Sequence, residues 1–497
     1  MRYTADFEIP AVIDADNDLY NWVQDVDAEA ITINSGITVT NDSITEGGVP
    51  VDLNVKTAKL YVQHRDLVTS NSVAVGSVTS ADQVEAVLGK IDPANPIAQG
   101  VYLAALNSGG VPTYFAAVAS DDLAGYNGAL ALAKKSEDYY GLVPLTFDSA
   151  IKDAVAGHVI ALSTAENAKW RTAWFGVDRI ESRLIYDVTP EGTSWKGTIT
   201  DDPLTSGTQY KLLTVSGATF LTDGVRPTDQ VLINFKTNSQ GETEYSTYIV
   251  DEVRTETTLV LTTALSAPIN SAKKVQIKRI NTRDEEVDLL AAVGSSYDNR
   301  RIRAVFPAYA KEGSTVYPGY FVAAACAGLR ASVVPHQGLT NSEVLGFNDL
   351  TEVVSTFSET QLNRLADSGF FILTQEAIGG TAYVRHQLTT DRTNLNTAED
   401  SITTNVDSIA YGLHRAIKPF IGTYNIHEKS LVVIRNAINA ELNFRATSTF
   451  TLRAGNQLNS YKIVRFEQST TFKDRIECDV QLEVPYPVNY ITITLFV

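Results

Sequence analysis

Two segments near the C-terminus carry regular apolar periodicity. Val406, Ile409, Leu413, Ile417 and Phe420 recur at intervals of three and four, and Leu431, Ile434, Ile438 and Leu442 repeat the arrangement, so each segment predicts a helix with one apolar stripe. The chain then closes on Tyr490-Ile-Thr-Ile-Thr-Leu-Phe-Val497, in which Ile491, Ile493, Leu495 and Val497 alternate with Thr492, Thr494 and Phe496. That is the period of a strand. Apolar on both faces and without charge from Val484 onward, it would be an aggregation hazard if left bare, and must be covered by its own domain or by another copy.

A denser block lies between Arg301 and Thr390. Ile302 to Phe306, stopped by Pro307, predicts a strand; Tyr320 to Arg330 is an apolar, small-residue helix suited to burial; and Ser358 with Gln361 forms a capping box for a helix that Gly369 ends. Phe370 to Thr374, the Gly379-Gly380 turn and Ala382 to Leu388 then read as a hairpin. From Leu123 to Asp178 helices and strands alternate, the pattern of parallel strands joined by crossover helices, and Ile302 to Phe306 extends the same sheet. Between Gly192 and Ile280 short β-rich runs separated by turns predict a small barrel or sandwich, inserted into the α/β part. Asn394 to Thr404 is polar and reads as a connection.

The predicted organisation is therefore α/β and multi-domain. An N-terminal arm with short strands occupies 1–60, and 61–191 and 282–400 form two parts of a mixed-sheet core with crossover helices. The inserted all-β domain covers 192–281, and a C-terminal α/β domain covers 401–497. In the arm, Tyr3, Phe7 and Ile9 are spaced for extended chain, and Pro10, Asp14 and Asp16 oppose a helix.

Charge sharpens this picture. The formal net charge is −18 over 497 residues, which argues against wrapping nucleic acid or coating an anionic membrane. From Ser401 onward ten Lys and Arg meet eight Asp and Glu, a net of +2, so the first 400 residues carry −20 and the C-terminal domain faces different surroundings. No apolar run is long enough to span a bilayer, and the start lacks a signal-peptide succession. Cys326 falls within the apolar helix and reads as a core residue, with no disulfide to Cys478 expected and folding in the cytoplasm favoured.

Chemistry is sparse. The six histidines are not paired at metal-ligand spacing, and no phosphate-binding glycine loop or nucleophile-elbow motif occurs, so no metal, cofactor or catalytic residue is assigned. The Asp284-Glu285-Glu286 run reads as a favourable charge at a helix N-terminus, and His158 and His414 as surface or packing residues.

The order of strand ending in Phe306-Pro307, small-residue helix from Val322 to Arg330, Leu362-Asn363, Gly369, Phe371-Ile372 and a hairpin with Gly379, Gly380 and Arg385 resembles the core of contractile tail sheath proteins of phages and related injection systems. Leu106 to Gly110 with Tyr114 to Val118, and the Pro485-x-Pro487 break before the final strand, are similar to further features of that family.

The resemblance implies a structural subunit, not an enzyme. It would polymerise in six-fold rings stacked helically around an inner tail tube, bounded by baseplate and tail terminator proteins. It would contract to drive the tube through a cell envelope, and would reside in a virion tail assembled in the host cytoplasm. It implies that Tyr490, Ile491, Thr492, Ile493, Thr494, Leu495, Phe496 and Val497 form a strand linking one subunit to the next, with the N-terminal arm completing the same sheet. Lys429, Arg435 and Arg445 are then candidate contacts to the tube. Two other classes compete: a hydrolase on a parallel sheet, and a surface adhesin using the inserted β-domain.

Overall fold

In the computed structural model, the described residues are 74–489 apart from 119, 189–196, 238–242, 273 and 452, together with the backbone of four short strands between 31 and 50. The arm residues Tyr3, Phe7 and Ile9 and the terminal segment Tyr490 to Val497 lie outside them. The fold is mixed α/β, and the chain divides into two compact units, Met1–Asp178 with Ala291–Val497, and Arg179–Leu290.

The first unit is built on a six-stranded sheet with the order Glu343–Val344, Ala382–His386, Phe370–Thr374, Ile302–Phe306, Thr172–Gly176, Gly141–Leu142. The last four of these pair in parallel, Ala304 facing Phe370 and Ile302 facing Ala173. Their spatial order follows their chain order, so the parallel part has no reversal point of the kind that opens a ligand crevice in doubly wound sheets. Every residue of Thr172–Gly176 and Ile302–Phe306 is buried, as continuous apolar central strands require. Helix Ser149–Leu162 packs Val155, Ala156 and Val159 onto Ala173, Phe175 and Ile302.

Helix Gly319–Ser332 is as buried as its small residues predict, with Cys326 wholly inside. Gly328 permits contact with helix Pro96–Asn107, because a Cβ there would fall 2.1 Å from the Ala104 carbonyl oxygen. The capping box at Ser358 is formed, both of its hydrogen bonds being present. Thr113–Ala117 pairs antiparallel with Ala74–Val78 in a separate two-stranded sheet.

The polar stretch Asn394 to Thr404 differs from its expected loop. Leu395–Ala398 is a helical turn and helix Asp400–Ile417 begins well before Val406, with Asp400 to Asn405 all buried. Hydropathy assigns such residues to solvent; here their partners lie elsewhere in the chain.

The second unit is an eight-stranded, wholly antiparallel sheet around one hydrophobic cluster that includes Ile199, Leu213, Phe220, Val231, Ile233, Leu259 and Ile277. It begins at Arg179 and ends at Leu290, wider than the 192–281 predicted from composition. Strand Ser182–Val188 belongs to it, pairing with Lys274–Ile280 and packing Ile185 and Tyr186 on the same cluster. Glu286, from the acidic run, is buried and paired with Arg179 and Arg283. Arg279 turns inward to Asp229 at 2.8 Å and is buried.

Candidate assembly surfaces

The C-terminal region carries an incompletely covered sheet. Strands Ser460–Gln468 and Ile476–Glu483 form an antiparallel pair, and among the described residues neither is joined by a third strand. One face rests on the helices Asp400–Ile417 and Glu428–Thr447: Tyr461, Ile463, Phe466, Ile476, Val480 and Leu482 pack on a cluster of Ile402, Ile409, Ile434, Ile438 and Leu442. No residue of either strand is fully buried, and Val464 is 61% exposed. A two-stranded ribbon is marginal alone, and this one has two outer edges able to accept strands.

Helix Glu428–Thr447 separates its faces cleanly. Ile434, Ile438 and Leu442 point inward, while Lys429, Val432, Val433, Arg435 and Phe444 are exposed. The third candidate cation, Arg445, is turned into the domain, bonding Glu441 and Ser408 at 2.8 and 3.1 Å and also Gln457. Its guanidinium braces the end of this helix against the preceding one and is 15% exposed, unlike the open Lys429 and Arg435.

A set of buried charges lies where the C-terminal helix meets the core sheet. Asp400 accepts from Arg303 Nε at 2.7 Å and from Arg330 Nη1 at 3.3 Å, all three side chains being almost inaccessible. Asp407 takes a two-pronged pairing from Arg301 at 2.7 and 2.9 Å, and the Tyr140 hydroxyl donates to it at 3.0 Å. Burial, then the Asp407 charge, holds the Tyr140 phenol well above its ordinary range. Burial lowers Arg330, with Asp400 opposing that shift. Such clusters are costly to break because each partner would be left charged in a dry site. Sequence reasoning missed all of these residues. The signal available was arginine inside otherwise apolar segments, at 301, 303 and 330, which demands buried acids somewhere.

The chain is 26% identical over 210 residues to a tail sheath protein of Mycobacterium phage Bxz1. The chain resembles the tail sheath proteins. The match covers 41% of this chain and 34% of that relative, so this sheath-like chain spans about a third of the relative's length. No protein-family model matches. Among solved structures, the anti-feeding prophage helical sheath in its contracted state aligns over 86% of this chain and 89% of that one at 11% identity, with a TM-score of 0.48. A sheath tail protein from Listeria innocua aligns over 56% of this chain and 74% of that one at 13% identity, with a TM-score of 0.27.

Proposed function

We propose that this chain is a structural subunit of a contractile tail sheath, polymerising as a helical tube around an inner tail tube. The observation that carries the reading is the two-stranded sheet at 460–483, supported on one face by helices and, among the described residues, joined by no further strand at either edge. In a polymer those edges are filled by strands from other copies: Tyr490 to Val497 of one neighbour and the N-terminal arm, with Tyr3, Phe7 and Ile9, of another. Strand addition supplies affinity through main-chain hydrogen bonds and register through the alternating apolar side chains. Such links survive rotation of the subunit bodies, so a lattice joined by them can pass between two packings without dissolving.

In this reading the subunits form six-fold rings in a virion tail assembled in the host cytoplasm, with baseplate and tail terminator proteins at the ends. The exposed face of helix Glu428–Thr447, with Lys429 and Arg435, meets the tube. The work of contraction comes from the difference in contact between two lattices, with no cofactor in the cycle.

The test is electron microscopy of the purified chain beside a truncation lacking residues 490–497. Tubes or stacked rings from the full chain and soluble monomer from the truncation are expected. A full chain that stays monomeric across salt and concentration rejects the sheath reading; tubes from both reject the linking strand alone.

A further inference from the structure

After strand Ile476–Glu483 the chain does not stop at its own sheet. Val484 is buried with the C-terminal cluster, and the next residues run across the core with alternate side chains on opposite sides. Tyr486 and Val488 face outward, 51% and 78% exposed, while Pro485, Pro487 and Asn489 are partly covered. Pro487 packs at Gly338, where an added Cβ would lie 3.3 Å from the proline Cβ. The Tyr486 hydroxyl donates to Asn396 Oδ1 at 2.6 Å.

The strongest of these attachments is Asn489, whose Nδ2 donates to Glu399 Oε1 at 2.8 Å. Glu399 is fully buried and also takes His386 Nε2 at 2.8 Å. It is the residue before helix Asp400–Ile417, yet its side chain makes no capping bond to that helix. Its backbone is tied instead to the hairpin strand through a bridge to Leu388, and its neighbour Asp400 is the acid held by Arg303 and Arg330. Glu399 is therefore held from behind by its backbone bridge and by His386. Asn489, the last described residue before the terminal segment 490–497, is what it holds in front.

We propose that Glu399 is an anchoring residue for the terminal arm: by clamping Asn489 it makes Tyr490 to Val497 leave the body at one fixed point, and linking between copies depends on that anchor as well as on the strand. This rests on the sheath reading for the role of the arm. The reason is one of ordering. A strand that must pair in a single register with a neighbour loses less freedom on binding if its root is already immobile. A free root would leave the same strand with many headings, and association would be weaker by the cost of selecting one.

The experiment introduces a second carboxylate at the clamp, then removes the first. A spin label on Val488→Cys, in a Cys478→Ser background, reports the mobility of the root, because Val488 is exposed and Cys326, the other thiol, is buried. Asn489→Asp faces the buried Glu399 with like charge, and the mobile component of the spectrum is expected to rise about tenfold, as for loss of a hydrogen bond to a charged group. Tube formation, followed by microscopy, falls with it. Glu399→Gln combined with Asn489→Asp restores both, since the amide nitrogen placed where Oε1 stands carries two N–H groups, one for the new aspartate and one for His386 Nε2 in its accepting tautomer. An unchanged label in Asn489→Asp overturns the anchor. A freed label with tubes at the parent yield overturns its part in linking, and failure of the double variant to recover overturns Glu399 as the partner. If the parent chain itself makes no tubes, the sheath reading fails while the label still decides the clamp.

Discussion

Arg171 shows how a single buried cation organises its surroundings. Wholly buried at the start of a central strand, it donates to the Ala133 carbonyl at 2.6 Å and to that of Ser136, lies over the Tyr139 ring, and reaches His158 Nε2 at 2.6 Å. Arginine can only donate, so Nε2 accepts and the imidazole proton sits on Nδ1. Burial, then the Arg171 and Lys134 charges, push His158 from an ordinary 6.5 down to about 4. In the unfolded chain the ring binds a proton as pH falls through 6.5, whereas in the folded chain it resists until about 4. The unfolded state therefore gains protons first. Stability attributable to this contact is complete above pH 6.5 and is lost across the window down to about 4. His158→Gln, which keeps an acceptor but does not titrate, is expected to flatten the urea-unfolding midpoint across that window. Parallel midpoint curves for the two proteins would sink the assignment. None of this was legible in the sequence, where a histidine within a helical segment is indistinguishable from a surface one; the contact depends on Arg171, thirteen residues later, being buried.

At the scale of elements, legibility followed burial type. The apolar stripes of the two C-terminal helices, the capping box at Ser358 and the parallel pairing of Ile302–Phe306 with Thr172–Gly176 were all readable, because each is a local pattern with a direct physical cause. The start of helix Asp400–Ile417 was not. Its first residues are polar and buried, satisfied by Arg303 and Arg330 at separations of 97 and 70 residues, and no window along the chain contains both halves of such a pairing. For the candidate surfaces, the amphipathic helix was legible but the direction of Arg445 was not, since charge alone does not say which way a long side chain turns. The two faces of helix Glu428–Thr447 separate experimentally. Ile438→Ala removes a buried side chain and is expected to cost about 2–4 kcal/mol of folding stability. Lys429→Glu with Arg435→Glu touches only exposed positions, so the melting temperature should hold while co-sedimentation with an inner tube is lost. A large fall in melting temperature from the charge reversal would mean that these side chains support the fold and do not face a partner.

For the whole molecule, the second unit has the form of an insertion whose ends meet. Ser182 pairs with Ile280, and the Asn281 amide donates to the Glu181 carbonyl at 2.8 Å, so the chain leaves and returns through adjacent, hydrogen-bonded residues. Closing that gap needs only a short connection, since paired strands run about 4.7–4.9 Å apart. The unit also owns its core: Leu213, Val231, Ile233 and Ile277 are buried in one cluster with residues of the same unit. A segment with closed ends and a private core is the kind whose excision a fold tolerates. Replacing residues 182–280 with a short Gly-Ser linker is therefore expected to leave the rest folded, with the cooperative thermal transition of the core sheet kept. Calorimetry of the full chain should resolve the same partition. Leu213→Ala should lower one transition and Ile372→Ala the other, each removing a side chain that is buried in only one unit. If both substitutions shift a single common transition, the two units fold as one cooperative body and the excision should fail with them.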